Sequence, residues 1–228
     1  MAHTHFHPVE TSKGRFWKRP RKRALKRIGT AVLFLLLWAV GVWLLKSTPV
    51  IDLGAGGEWA ESGISHRWAR GQLVVMIRHA ERCDRSDNPC LGSHDGITTP
   101  GSQAARAVGN GLRQTLGLAN ADLIASPFTR TRQTAEYIFG SAIATQSWVG
   151  ECDGGFENAV LEHKKAHENL VLITHSGCID HFERKLGVRA GQRDSAYAQA
   201  FFVAVDGKHA PRMLGTLDAE QWARLAGN

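Results

Sequence analysis

The stretch QLVVMIRHAERCD, Gln72 to Asp84, decides the fold: an unbroken apolar run from Leu73 to Ile77 leads directly into Arg78 and His79. A short continuous apolar run of this kind fills a strand buried on both faces, and such strands belong to sheets covered by helices. A second run of the same design, NLVLITHS from Asn169 to Ser176, again delivers a histidine, His175, at its end. A third, ADLIASP from Ala121 to Pro127, is followed closely by Arg130.

Between these runs the periodicity becomes helical. Thr99 opens a helix with Pro100 in its first turn, and Ala104, Ala105, Val108 and Leu112 recur at helical spacing. TRTRQTAEYIF (129–139), FENAVLEHKKAHEN (156–169) and CIDHFERKLG (178–187, stopped by Gly187) predict further helices. SAIATQSWV (141–149) predicts a third strand, AYAQAFFVAV and RMLGTL predict closing strands, and a short helix follows from Asp218. Strands alternating with helices specify a three-layer α/β/α sandwich around a largely parallel sheet, over residues 72–228.

In such sheets ligands bind outside the carboxyl ends of the strands, which is where Arg78, His79, Arg130 and His175 fall together. Taken singly, an arginine there is a solvated charge and a histidine a hydrogen-bonded structural residue. Together, with no carboxylate set of the metal-binding type around them, they suit a phosphate ester. Guanidinium groups match phosphate oxygens with bidentate hydrogen bonds, so Arg78 and Arg130 would fix the phosphoryl group and a protonated His175 would add a third donor. A neutral His79 would attack phosphorus in line and form a phosphohistidine. This chemistry calls for no metal and no cofactor.

Upstream of the body, residues 1–27 hold nine Lys or Arg against one acid, Glu10. Ile28 to Leu45 then run eighteen residues without a charge, closed by Lys46. As a helix this run would be about 27 Å long, enough to cross a bilayer. From Ser47 onward there are 18 Lys or Arg and 20 Asp or Glu. The overall charge of +7 therefore belongs to the tail, and electrostatic capture of nucleic acid is not expected. A basic block before the span predicts a cytoplasmic tail (1–27), an inner-membrane anchor (28–46), a Gly-rich linker (47–71) with a short helix near Glu58 to Trp68, and a periplasmic body. A cleaved signal peptide has the same ingredients, although the nearest small-residue cluster is Ala55-Gly56-Gly57. His3, His5 and His7 in the tail read as solvated polar residues.

All four cysteines, Cys83, Cys90, Cys152 and Cys178, follow the span, and an even number in an exported domain reads as disulfides. Three pairings are possible; the turn-rich DRSDNP between the first two favours Cys83 with Cys90, leaving Cys152 with Cys178.

VVMIRHAE, SPFTRTRQTAE and LVLITHSG resemble, in this order, the signatures of the histidine phosphatase superfamily, also called the phosphoglycerate mutase-like fold. The resemblance implies a phosphoric monoester hydrolase with His79 as the phosphorylated nucleophile and Arg78, Arg130 and His175 as its phosphate pocket. HAERCDRSDNPCL followed by GIT, Cys152, and Cys178 three residues beyond His175 are similar to the lipopolysaccharide core heptose(II)-phosphate phosphatase group. That group implies a phosphorylated glycan of the cell envelope as substrate. THSGC and the very basic tail depart from its pattern, which leaves open a broad-specificity sugar-phosphate phosphatase, a phosphohistidine protein phosphatase, or a phosphate-binding module without turnover.

A leaving alkoxide also needs a proton, and the resemblance places the donor after the third strand, where GECDGGFE offers Glu151 and Glu157. Glu151 is favoured, with Glu157, Glu81 and Asp180 as alternatives. Arg82 would contact the substrate or pair with Asp84 or Asp87. Oligomeric state is not legible.

Overall fold

The computed structural model describes residues 22–46 and 48–226, which form two separate compact units divided after Lys46. The basic stretch up to residue 21, with His3, His5 and His7, lies outside the described residues.

The first unit contains helix α1 (Lys22–Lys46). Its segment Lys26–Trp43 has a mean hydropathy of 1.5 and none of it is buried, with Phe34, Leu35 and Trp38 exposed. By length and composition this helix is able to cross a membrane.

The second unit opens with α2 (Glu58–Glu61) and α3 (Ile64–Ala69), followed by β1 (Leu73–Arg78), α4 (Thr99–Thr115), β2 (Ala121–Ala125) and α5 (Thr129–Phe139). Next come β3 (Ala144–Thr145), α6 (Phe156–His163), β4 (Asn169–Thr174), α7 (Ser176–Lys185), β5 (Ala200–Ala204), β6 (Arg212–Leu217) and α8 (Ala219–Ala226). The strands form one mixed sheet in the order β3-β2-β4-β1-β5-β6. The four strands from β3 to β1 are parallel, whereas β5 and β6 are antiparallel additions to the edge of β1.

The alternation of side chains along β1 makes the three layers. Leu73, Val75 and Ile77 face a core with Ala105, Val108 and Leu112 of α4, Ala135 and Ile138 of α5, and Trp222 of α8. Val74 and Met76 face the opposite core, against Phe156 and Val160 of α6 and Ile179 and Phe182 of α7. Sequence chemistry sets the helix ends. The Thr98 hydroxyl accepts from the Gly101 amide at 3.0 Å to cap α4, and Gly140 after α5 takes a left-handed φ of 80°.

The helix expected over 156–169 ends at His163 and the strand expected over AYAQAFFVAV is confined to Ala200–Ala204, and two segments differ more deeply from expectation. SAIATQSWV supplies only Ala144 and Thr145 as strand; both are exposed on an edge with one neighbour, and the chain then coils into a 3-10 turn, Ser147–Gly150, that buries Val149. Residues 48–71, expected as linker, pack as part of the body. Leu53, Ile64 and Trp68 enter the core, the Leu53 amide donates to the Thr216 carbonyl at 2.9 Å, and Trp59 stacks edge-on against Phe202 and Trp222. The glycines at 54, 56, 57 and 63 give this stretch a tether's composition, but its apolar residues are spaced to reach the sheet.

Candidate active site

The sheet register brings three strand ends into line. The His79 amide donates to the Thr174 carbonyl at 2.9 Å and the Ser126 amide to the Ile173 carbonyl at 3.0 Å, so the residues leaving β1, β2 and β4 emerge side by side. The four residues singled out by sequence meet there. The imidazoles of His79 and His175 lie 5.4 Å apart, and an Arg130 Nη2–H donates to His175 Nδ1 at 3.3 Å. Arg78 donates to the Ser195 carbonyl and stacks its guanidinium on the Tyr197 ring at 3.9 Å.

Hydrogen bonds fix the tautomer of each histidine. His79 Nδ1 lies 2.8 Å from the Ala80 carbonyl, which only accepts, so Nδ1 carries the proton and the Nε2 lone pair is free. The Ala80 amide in turn donates to Thr134 Oγ1 at 2.9 Å, which ties this turn to α5. At His175 the arrangement is reversed. Arginine has only donors, so Nδ1 accepts from Arg130, and Nε2–H donates to Ser126 Oγ at 2.9 Å.

Electrostatics keep both rings neutral. Burial pushes the His79 pKa down to about 3, helped by His175, Arg130 and Arg78 against the pull of the Ala80 carbonyl. His175 is lowered to about 4, first by burial and then by Arg130, Arg82 and Arg78. The expectation of a protonated His175 is therefore corrected: among three guanidiniums and without an opposing charge the ring stays neutral, and only a bound dianion would reverse that field. Burial also lowers the pKa of Arg78 and Arg130. The Nε–H groups of both are buried and, among the described residues, nothing accepts from them. Two orphaned guanidinium donors beside a neutral imidazole make a site for an anion with several oxygens. The N-terminus of α7, immediately behind His175, adds the favourable end of its dipole.

The remaining candidates are placed unequally. Arg82 Nε donates to Asp84 Oδ1 at 2.7 Å, so its charge reaches the pocket from within an ion pair. Glu81 accepts from Thr98 at 2.6 Å and from Asn88 at 2.9 Å, which hold its pKa below the usual range. Asp180 pairs with Arg184 at 2.7 Å and Arg193 at 3.0 Å, and Glu157 is half-buried in the first turn of α6. Glu151 is exposed where the 3-10 turn ends, beside Gly150, whose missing side chain leaves room for Ser126 Oγ. Two disulfides are formed, Cys83–Cys90 and Cys152–Cys178; the second joins the residue after Glu151 to the first turn of α7.

Sequence reasoning missed Ser126, Thr134, Phe128 and Tyr197. Ser126 and Thr134 stand in quoted segments but act through hydrogen bonds that only the register reveals. Tyr197 comes from a stretch without a motif, next to Ala198, which adopts a left-handed φ of 57° and donates its amide to the His79 carbonyl at 3.3 Å.

The chain is similar to known proteins in sequence and in fold. The chain is 32% identical over 152 residues to the "Lipopolysaccharide core heptose(II)-phosphate phosphatase" of Escherichia coli strain SE11, an alignment covering 62% of this chain and 75% of that relative. The protein of the same name from strain 55989 gives the same values. No family model matches the chain. Among solved structures, the protein histidine phosphatase SixA complexed with tungstate superposes with a TM-score of 0.51 at 16% identity, covering 64% of this chain and 97% of that one. A protein of Agrobacterium tumefaciens assigned as the phosphohistidine phosphatase SixA gives 0.50 at 14% identity, covering 64% and 97%. At such identities the likeness is one of fold.

Proposed function

The chain belongs to the histidine phosphatase superfamily, with the lipopolysaccharide core heptose(II)-phosphate phosphatases as relatives, and from that premise we propose that it is an exported phosphomonoesterase acting on a phosphorylated envelope glycan through a phosphohistidine at His79. That it is a phosphatase follows from the family; the residue roles, the substrate and the compartment are the proposal.

The observation that carries it is the His79 ring: neutral, with its proton held on Nδ1 by the Ala80 carbonyl and its Nε2 lone pair free beside two orphaned guanidinium donors. Nε2 attacks phosphorus as the ester P–O bond breaks, and the Glu151 carboxyl gives its proton to the leaving alkoxide. Arg78 and Arg130 hold the equatorial oxygens as charge shifts among them, and His175 joins them once the bound dianion has favoured its protonated form. Water then attacks the phosphohistidine, its proton returns to Glu151, the P–N bond breaks, and neutral His79 is regenerated with inorganic phosphate. The substrate class comes from the heptose-phosphate phosphatase relatives. Helix α1 and the two disulfides of the body support a membrane-anchored protein whose phosphatase unit lies in an oxidising compartment, the periplasm.

The test uses the full chain in detergent micelles with a chromogenic phosphate ester, quenched in base because the P–N bond of phosphohistidine is acid-labile. Turnover with a base-stable phosphoenzyme, both lost in a folded His79→Asn variant, is the expected result. Turnover undiminished by that substitution would refute the mechanism. Core oligosaccharide from cells lacking the gene should be heavier by one phosphate.

A further inference from the structure

The phosphate pocket accounts for only half of an ester; the other half, the leaving group, must lie between the phosphorus and the proton donor. We propose that the ring of Phe128 is the platform on which that leaving group rests, and that it selects a pyranose, a sugar ring with one apolar C–H face, over an acyclic alcohol. The inference rests on the phosphatase reading above and extends it to the leaving-group side.

Phe128 stands at the turn between β2 and α5, two residues before Arg130. Its ring meets His175 edge-on, with centroids 5.2 Å apart at 89°. The Arg130 guanidinium carbon sits over the ring at 4.6 Å. A side chain at Gly150 would come within 3.2 Å of the ring, so the glycine immediately before Glu151 is what admits it. Phe128 is thus in contact with the phosphate pocket on one side and with the segment carrying the proposed acid on the other. A substrate whose phosphorus faces His79 and whose ester oxygen is turned toward the Gly150–Glu151 segment would lay its carbon skeleton against this ring.

Phe128 is nevertheless 47% exposed, more than the other large apolar side chains described in the folded body, Ile51 at 38% and Leu91 at 37%. An aromatic ring fixed by its neighbours, open to solvent and set beside convergent polar groups is how ligand sites present apolar area. The π-face is electronegative, and the ring C–H bonds along one face of a pyranose carry partial positive charge, so the two match while the sugar hydroxyls stay in water. Tyr197 does not compete for this role. It is half-buried and stacked with Arg78 at 3.9 Å, which suits it to hold that guanidinium.

The experiment compares two esters of secondary alcohols, methyl mannopyranoside 4-phosphate and glycerol 2-phosphate, using the full chain in micelles with its Phe128→Ala, Phe128→Leu and Phe128→Tyr variants. The wild type should prefer the pyranose ester. Phe128→Ala and Phe128→Leu should lose about tenfold in kcat/KM on it and less than about twofold on glycerol 2-phosphate, while Phe128→Tyr retains the preference. The inhibition constant of inorganic phosphate should be unchanged throughout. Equal losses on both esters, or weakened phosphate inhibition, would mean that Phe128 serves only to hold Arg130 and would overturn the proposal. A wild type that turns over the chromogenic ester but neither of these, or both of these equally, would overturn the platform alone, whereas one inactive on all three would overturn the catalytic reading beneath it.

Discussion

The two histidines of the pocket have the same side chain and opposite proton placement. The Ala80 carbonyl forces Nδ1–H on His79, and Arg130 forces Nε2–H on His175. Ser126 Oγ receives that second proton, and Ser126→Ala would free the His175 ring to turn away from Arg130. We expect kcat/KM to fall about tenfold with weaker inhibition by inorganic phosphate and an unchanged thermal midpoint, measured by steady-state kinetics and circular dichroism. At this scale the sequence was informative where a residue type stands at a strand end, as with Arg78, His79, Arg130 and His175. It was silent on Ser126 and Tyr197, because a serine or tyrosine gains its role only from what the fold sets opposite it.

Helix α4 approaches its neighbours through residues that have no side chain. A Cβ on Gly109 would fall 2.0 Å from the Ile138 carbonyl oxygen in α5, and one on Gly111 would fall 2.6 Å from the Trp222 Cβ in α8. Neither obstacle is a flexible side-chain end. Gly109→Ala should therefore destabilise the body by about 1 to 3 kcal/mol despite its better helix propensity, read as a lowered thermal midpoint. A midpoint equal to or above the wild type would show that α4 and α5 separate at little cost. The helices were readable from apolar spacing and from Thr99 with Pro100, because helix-start signals and amphipathicity are local, whereas the capping hydroxyl of Thr98 is given by the structure. The strand expected over SAIATQSWV was not, since extension there depended on a partner that β2 offers for two residues only. The segment before Gln72 was misread for a related reason: glycine-rich composition describes flexibility, while Leu53, Ile64 and Trp68 are held by distant elements.

For the whole molecule, buried ionisable groups set opposing dependences of stability on pH. His79 and His175, lowered to about 3 and about 4, stay unprotonated as pH falls below 6.5 while the unfolded chain takes up two protons, so both destabilise the native state in acid. Glu183, 3% exposed in α7 among Asp180, Arg193 and Asp194, is raised to about 7 by burial first and then by Asp180. Its native state keeps a proton that the unfolded chain loses above about 4.5. Its contribution is thus present in acid and lost as pH rises through 7, partly offsetting the histidines. Glu183→Gln removes the offset, and the fall in thermal midpoint between pH 6.5 and pH 5 should roughly double. An unaltered pH profile in that variant would show that Glu183 ionises alike in both states.

The short pairing of residues 48–53 with the far edge of the body gives one more outcome. The Thr48 amide donates to the Gly187 carbonyl at 3.2 Å, Thr216 donates to the Ile51 carbonyl at 2.8 Å, and Leu53 is buried behind them. A protease that cuts ahead of Thr48 would shed a working phosphatase, whereas one that cuts at Ala55, among the glycines, would strip a core side chain and an edge pairing from the fold. Seven residues, Thr48 to Gly54, thus separate release from inactivation, and limited proteolysis followed by activity measurement of the two products would tell them apart.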